Sequence, residues 1–434
     1  MNQPSGLKNL LRVVPGIEVT PFAYGHYNAW PLAPDFSSPN HGAIDWGRGA
    51  TDGLGMTPGE VYDAMRARGA QMVQVNHPRG SGLDEFQAAF SRANVKYDFT
   101  QGVIFGDYEN ASTPNDWLRL PEGSLWSDKF NGLEVWNGFA MVDSNKDGQR
   151  EILSLDRVMR DWLSMLSIGF FVTPAGNSDT HTLIADPAGM PRTYVRVPDD
   201  SAQALSLPST VDNVLATQTG ANGTARDVVV TDGPMIDVRV AANPVLGRVV
   251  DATNTSVTAV VTVTAADWAK FDTLEVFANT APDAVGMDDN STLVPLKCYT
   301  SRNLGTLDAK DPCKLAALAP EAMTVNLTSV SGGYKRYEAS VTVTLDAIDI
   351  DKGNRAGAKG KDAYLVFRAR GDRGIFPILL KSDTVTADTL PALLGGNPAA
   401  IDAALAGHGV PATAFTSPVF VDFDGGGYRA PFAP

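Results

Sequence analysis

Groups able to do chemistry are scarce in this chain: five histidines and two cysteines in 434 residues, with charged residues at only 19%. No stretch approaches the roughly 20 consecutive apolar residues that a membrane-spanning helix needs, so no span is expected. The opening Met1–Asn9 has no long apolar core and is not read as a secretion signal. Basic residues are also few. With 35 Lys and Arg against 49 Asp and Glu, the net charge is −14, the wrong sign for collecting nucleic-acid phosphates. There is no Gly-x-Ser-x-Gly elbow and no phosphate-binding P-loop motif, and no repeat with a period of roughly 20–50 residues. The two cysteines, Cys298 and Cys313, lie close together. A disulfide, which would accord with export, and a pair of buried free thiols both fit that spacing.

What is present divides the chain in two. Up to about residue 200, short apolar runs alternate with helical stretches. Gly16–Thr20, Met72–Val75, Gly132–Trp136 and Phe170–Thr173 read as strands. Thr57-Pro58-Gly59-Glu60 carries a capping threonine, proline at the first helical position and glutamate three residues after the cap, which predicts a helix to about Arg68. Ser154 is expected to cap a second helix running to about Ile168. Repeated alternation of this kind predicts an α/β unit with a largely parallel sheet. The polar segment Ser201–Asn222 is expected to hold one helix and the domain junction. From about residue 225 the runs become Val- and Thr-rich: Asp227–Thr231, Ile236–Ala241, Ser256–Thr264, Thr273–Ala278, Ala339–Leu345 and Ala363–Ala369. Several alternate with period two and turn residues separate them, the pattern of an antiparallel β-sandwich. The expected division is residues 1–222 and residues 223–434.

The histidines are His26, His41, His77, His181 and His408. His26, His77 and His181 lie just beyond an expected strand or in a Gly/Asn-rich turn beside one. In parallel α/β folds the loops after the strands share one face, where sites assemble. Glu18, His77, Asp179 and His181 can therefore converge despite their distance in sequence, and a mixed imidazole and carboxylate set suits zinc, manganese or iron. Asn76 and Asn177 stand beside these residues as donors able to orient them. His41 reads as a surface residue.

Five segments occur in order: Gly16-Ile17-Glu18-Val19-Thr20, Gly25-His26-Tyr27-Asn28, Asn76-His77-Pro78-Arg79, Gly132 to Gly138 (GLEVWNG), and Asn177-Ser178-Asp179-Thr180-His181. Pro191–Val195 and Asp232–Met235 add to the series. Over roughly Pro15 to Val240 the chain resembles the PHP (polymerase and histidinol phosphatase) domain, most closely metallohydrolases of the CehA/McbA type. The resemblance implies a distorted (β/α)7 barrel with metals at the C-terminal ends of its strands. Glu18 would match a metal-bridging glutamate, His26 and His77 ligands of a second metal, Asp179 a carboxylate ligand of the first metal, and His181 a ligand of a neighbouring one. Arg79 is placed to hold an anionic substrate through its planar fork, or else makes a surface ion pair.

PHP domains open with a His-x-His strand followed by an Asp-His pair, and neither occurs here. The expectation is therefore an incomplete distorted PHP-type barrel followed by an antiparallel β-sandwich, with the intact protein secreted or periplasmic. Exposed strand edges would then be met by oligomerisation or by the N-terminal segment completing the barrel. Glu18, His26 and His77 still supply three ligands and an open position, the arrangement of a catalytic zinc site. Metal-bound hydroxide would attack a phosphoester, carboxylic ester or carbamate, with metal and Arg79 stabilising the developing oxyanion. The alternative is a catalytically degenerate PHP scaffold serving as an extracellular binding protein. Separately, Asp143, Asn145 and Asp147 before Gly148 have the ligand spacing of a calcium loop, or form a polar turn. Asp349–Asn354 and Asp422–Gly427 read as turns, and Trp136 either lines a pocket or caps the core.

Overall fold

The computed structural model describes residues 11–21, 24–38, 40–47, 55–80, 87–106, 125–138, 153–181, 188–252, 256–284, 291–359, 362–375 and 411–434. The proposed calcium loop at Asp143, Asn145 and Asp147 lies outside these residues. The first half contributes strands β1 (Ile17–Val19), β2 (His26–Trp30), β3 (Met72–Asn76), β4 (Val95–Asp98), β5 (Val103–Gly106), β6 (Gly132–Asn137) and β7 (Thr173–Asn177). Its helices are α1 (Pro58–Ala67), α2 (Ala89–Arg92) and α3 (Leu153–Ile168).

Local chemistry explains α1. The Thr57 side chain accepts from the Glu60 amide and the Glu60 carboxylate accepts from the Thr57 amide, so two otherwise unpaired donors are satisfied at the helix start. Helix α3 begins one residue before the expected cap, placing Ser154 inside it. Strand β7 begins at Thr173, where the strand predicted from Phe170 was expected to end.

Five strands form a sheet in the order β1-β2-β3-β6-β7. It is mixed, not largely parallel: β2 runs antiparallel to both β1 and β3, while β3-β6 and β6-β7 are parallel. The reason is local. Gly25-His26-Tyr27-Asn28, read as a turn, opens a strand that returns between its neighbours. Strands β1, β3, β6 and β7 consequently point the same way, and their C-terminal ends share one edge. Strand β3 is buried throughout and β6 nearly so, as expected when both sheet faces are covered. Among the described residues this sheet stays open, with β1 and β7 at its ends.

The remaining elements are β8 (Arg192–Val195), α4 (Ala202–Leu205), α5 (Pro208–Thr219), β9 (Val228–Thr231), β10 (Met235–Val240), β11 (Asn243–Pro244), β12 (Val249–Asp251) and β13 (Ser256–Ala266). After them come β14 (Thr273–Ala278), β15 (Lys297–Thr300), α6 (Pro312–Leu315), β16 (Glu321–Ala322), β17 (Asn326–Ser329), β18 (Lys335–Asp346), α7 (Ala347–Gly353), β19 (Ala363–Gly374), β20 (Pro411–Thr416) and β21 (Val419–Asp422). The span 201–222 thus holds two helices rather than one. Residues 349–354, expected to be a turn, belong mostly to α7, whose start is capped by Asp346.

One sheet runs β11-β10-β13-β18-β17, and a larger one runs β16-β15-β14-β19-β20-β9-β8 with β21 and β12 attached. Strand β19 shows how they pack. Ala363, Leu365, Phe367 and Ala369 enter the core shared by the two sheets, while Tyr364 and Val366 enter the core of the first half. The larger sheet therefore has two buried faces, one against its partner sheet and one against α3. It also includes β8, so it crosses the 222/223 position expected to separate two domains. Cys298 on β15 and Cys313 on α6 form a disulfide, buried with Leu307. No described helix is long and apolar enough to cross a membrane.

Candidate metal centre

Strand directions decide where the polar side chains meet. Glu18 lies on β1, His26 opens β2 and His77 follows the last residue of β3, with His26 paired to Asn76 in the ladder. These three therefore gather at one sheet edge, each offering a ligand atom within 4.8 Å of the others. His26 Nδ1 is 3.8 Å from Glu18 Oε1, and the two imidazoles meet edge to face with centroids 4.9 Å apart. Zinc bonds of about 2.0–2.2 Å set tetrahedral ligand atoms roughly 3.3–3.6 Å apart, so small side-chain adjustments close the set around a cation. His26 is half-buried, and its pKa is lowered first by that burial and then by His77, against the pull of Glu18 and Asp179. A neutral imidazole with an available nitrogen is what a metal requires.

The asparagines hold this edge. Asn76 Nδ2 donates to Glu18 Oε1 at 3.0 Å, and Gln74 Nε2 donates to Asn76 Oδ1 at 2.9 Å. Asn177 Nδ2 donates to Glu134 Oε1 at 2.7 Å. Asp179 is close enough for its charge to act on His26, but it is not one of the three grouped ligands. His181 does not join them: its ring is 77% exposed, with Nδ1 at 2.7 Å from the Asp179 carbonyl oxygen. His41 is exposed, as expected.

Arg79 is a correction. Its guanidinium forms a two-pronged pair with Asp161 on α3, at 2.8 and 2.6 Å, and also donates to the carbonyls of Phe90 and Val95. The Tyr97 hydroxyl completes the Asp161 cluster at 2.8 Å. Arg79 is 7% exposed and Asp161 2%. The fork expected to face a substrate is used inside the protein. Trp136 likewise belongs to the core.

No known protein family, curated protein or solved structure matches the chain. The site's own chemistry carries the functional reading.

Glu134 escaped the sequence reading of the site. Its carboxylate accepts from the His77 amide at 2.6 Å, from Asn137 at 3.0 Å and from Asn177 at 2.7 Å. Burial pushes its pKa up to about 7 against these three bonds, and the charge of Asp179 adds to the rise. The available signal was a lone carboxylate within the apolar run Gly132–Trp136.

Asp362, Asp422 and Asp424 form a second group with the spacing to hold a cation. Their oxygens already accept backbone amides: Asp422 from Asp424, Gly425 and Gly427, Asp424 from Gly426, and Asp362 from Phe423 and Arg429. These bonds shape the turn after β21.

Proposed function

We propose that the chain is a PHP-type metal-dependent hydrolase in which Glu18, His26 and His77 hold a divalent cation, with zinc favoured over manganese or iron. The observation that carries this reading is the convergence of one carboxylate and two imidazoles at a single sheet edge, with Asn76 orienting the carboxylate. The donor set fits the cation: two imidazoles and one oxygen leave a coordination position for water or substrate. A divalent cation bound there supplies Lewis acidity and lowers the pKa of water towards neutrality, which suits cleavage of a phosphoester, carboxylic ester or carbamate.

Asp179 adds negative charge at the site's rim, and Asn76 and Glu134 fix the groups behind it. The shared direction of β1, β3, β6 and β7, with polar residues at their C-terminal ends, supports reading the small sheet as part of a distorted (β/α)7 PHP-type barrel. The buried Cys298–Cys313 bridge supports a secreted or periplasmic location, where disulfides persist.

The test is a zinc and manganese titration of the full chain, followed by hydrolysis of p-nitrophenyl acetate and p-nitrophenyl phosphate with and without metal. Micromolar or tighter binding, lost in His26→Ala and His77→Ala while thermal unfolding is retained, is the expected result. Metal-dependent turnover should disappear in the same variants. A folded wild-type chain that binds neither metal removes the hydrolase reading and leaves a scaffold that binds by other means.

A further inference from the structure

Behind the three ligands, the hydrogen bonds of the strand ends converge on one carboxylate. Glu134 lies in β6, where the register against β7 slips: Glu134 pairs with Ala175 but Trp136 with Gly176. An inserted residue of this kind bends a strand and re-aims its side chains, and such bulges are frequent beside active sites. The three described donors to Glu134 come from His77, Asn137 and Asn177. These residues follow β3, end β6 and end β7, so one carboxylate ties together three strand ends.

Two of these ties reach groups at the site. The His77 amide goes to Oε2, and His77 takes φ +25°, a backbone region that a non-glycine residue keeps only when its surroundings enforce it. Asn137 Nδ2 donates both to Glu134 Oε2 and, at 3.3 Å, to Asp179 Oδ2. Asp179 also has positive φ, at 47°. A buried glutamate serving only the core would draw its donors from anywhere. Two of the three donors to Glu134 come from the segments that carry His77 and Asp179, and the third, Asn137, also donates to Asp179.

We infer that Glu134 is a positioning residue of the metal centre, fixing the His77 backbone directly and the Asp179 carboxylate through Asn137. This rests on the metal-centre reading of Glu18, His26 and His77. Glu134 contacts neither cation nor substrate. It acts by holding one ligand and one neighbouring carboxylate in place, and groups of this kind typically change metal affinity by roughly 10–100-fold when removed.

Cobalt(II) titration of the full chain, followed by visible absorption, separates this role from a purely structural one, with thermal unfolding of the metal-free proteins measured alongside. Glu134→Ala is expected to weaken cobalt binding by roughly 10–100-fold and to shift the visible band, beyond any effect of its loss of stability. Glu134→Gln should stay within about threefold of wild type: its oxygen still accepts from His77 and Asn137, and the Asn177 amide can turn over to accept from its nitrogen. Asn137→Ala removes the bridge between Glu134 and Asp179 while leaving the His77 and Asn177 bonds to Glu134, and should also shift the band. If Glu134→Ala does not fold, an unchanged affinity and spectrum in Asn137→Ala overturns the inference. Wild-type binding with Glu134→Ala indistinguishable from it overturns the inference alone. Absence of wild-type cobalt binding, or undiminished binding by His77→Ala, removes the metal-centre reading beneath it.

Discussion

Arg79 and His77 are two residues apart, yet their side chains do opposite work. Arg79 is buried against a buried carboxylate, and removing one member of such a pair leaves the other charge uncompensated, at a cost of about 3–5 kcal/mol. Arg79→Ala should therefore lower unfolding stability by about that amount in urea titrations. A substrate-holding arginine would instead leave stability unchanged and raise KM, so a fully stable Arg79→Ala restores the substrate role. Glu18, His26 and His77, which lie close enough together to hold a metal ion, could be picked out in advance because imidazoles are rare in this chain and fall at strand ends, where side chains are free to converge. Asp179 and His181, expected as ligands beside them, do not join that group. The fate of Arg79 could not. Its partner Asp161 lies 82 residues further on, inside a helix whose orientation nothing near Arg79 specifies. Glu134 was hidden for a related reason: in sequence a carboxylate in an apolar strand looks like one outward-facing residue, and only three strand ends meeting around it give it a purpose.

Helix α3 is the element on which the two halves depend. A surface helix keeps one polar face towards water, but α3 is buried on nearly all sides from Leu155 to Ile168. Its polar residues are absorbed by specific partners. Trp162 Nε1 donates to the Val172 carbonyl, Ser164 Oγ to that of Pro282, and Arg160 to Ser291. Asp156 pairs with Arg368 of β19, which is also held by Glu275 of β14. Burial pushes the Glu275 pKa up, but Arg368 and Arg370 outweigh it and hold it below the ordinary glutamate value of 4.5. The sign follows. A carboxyl group with a depressed folded pKa contributes its stability fully above the unfolded value and loses it as pH falls through the folded one. Urea unfolding followed from about pH 7 to pH 3 should therefore show stability falling below about 4.5. In Glu275→Gln that acid limb should flatten, with a loss of about 3–5 kcal/mol at neutral pH. An acid limb identical to wild type would show that other carboxylates carry it. Strand β13 was legible because period-two burial leaves its mark in alternating Val and Thr, and β14, buried at every residue, as a short mostly apolar run. Strand β2 and the β4-β5 hairpin were not, because His26–Trp30 mixes polar and aromatic residues and the hairpin's burial is partial.

At the scale of the whole chain, a change of composition near residue 225 is real but does not mark an independent unit. Strand β8 precedes that point, and its described ladder partner is β9, which follows it. The core built around Val73, Leu133 and Trp162 also contains Val228, Val230, Phe277, Tyr364, Val366 and Phe415. The chain's end returns to the first half as well: the Phe432 amide donates to the Ser167 carbonyl, and the Phe432 ring meets Phe99 edge to face. Cutting after residue 222 would strip β8 of its ladder and expose one side of α3, including Trp162, to water. Fully burying one large apolar side chain is worth roughly 1.5–3 kcal/mol, and a domain's net stability is only about 5–15 kcal/mol, so losing several such contacts exceeds what residues 1–222 can spare. That fragment, expressed alone, should lack a cooperative unfolding transition and dispersed amide resonances, and should not bind zinc at the affinity of the full chain. A fragment that unfolds cooperatively and binds zinc as the full chain does would make the metal centre self-sufficient and reduce the larger sheet to an appendage. The prediction is that it does not, because α3 packs against strands that come later in the chain.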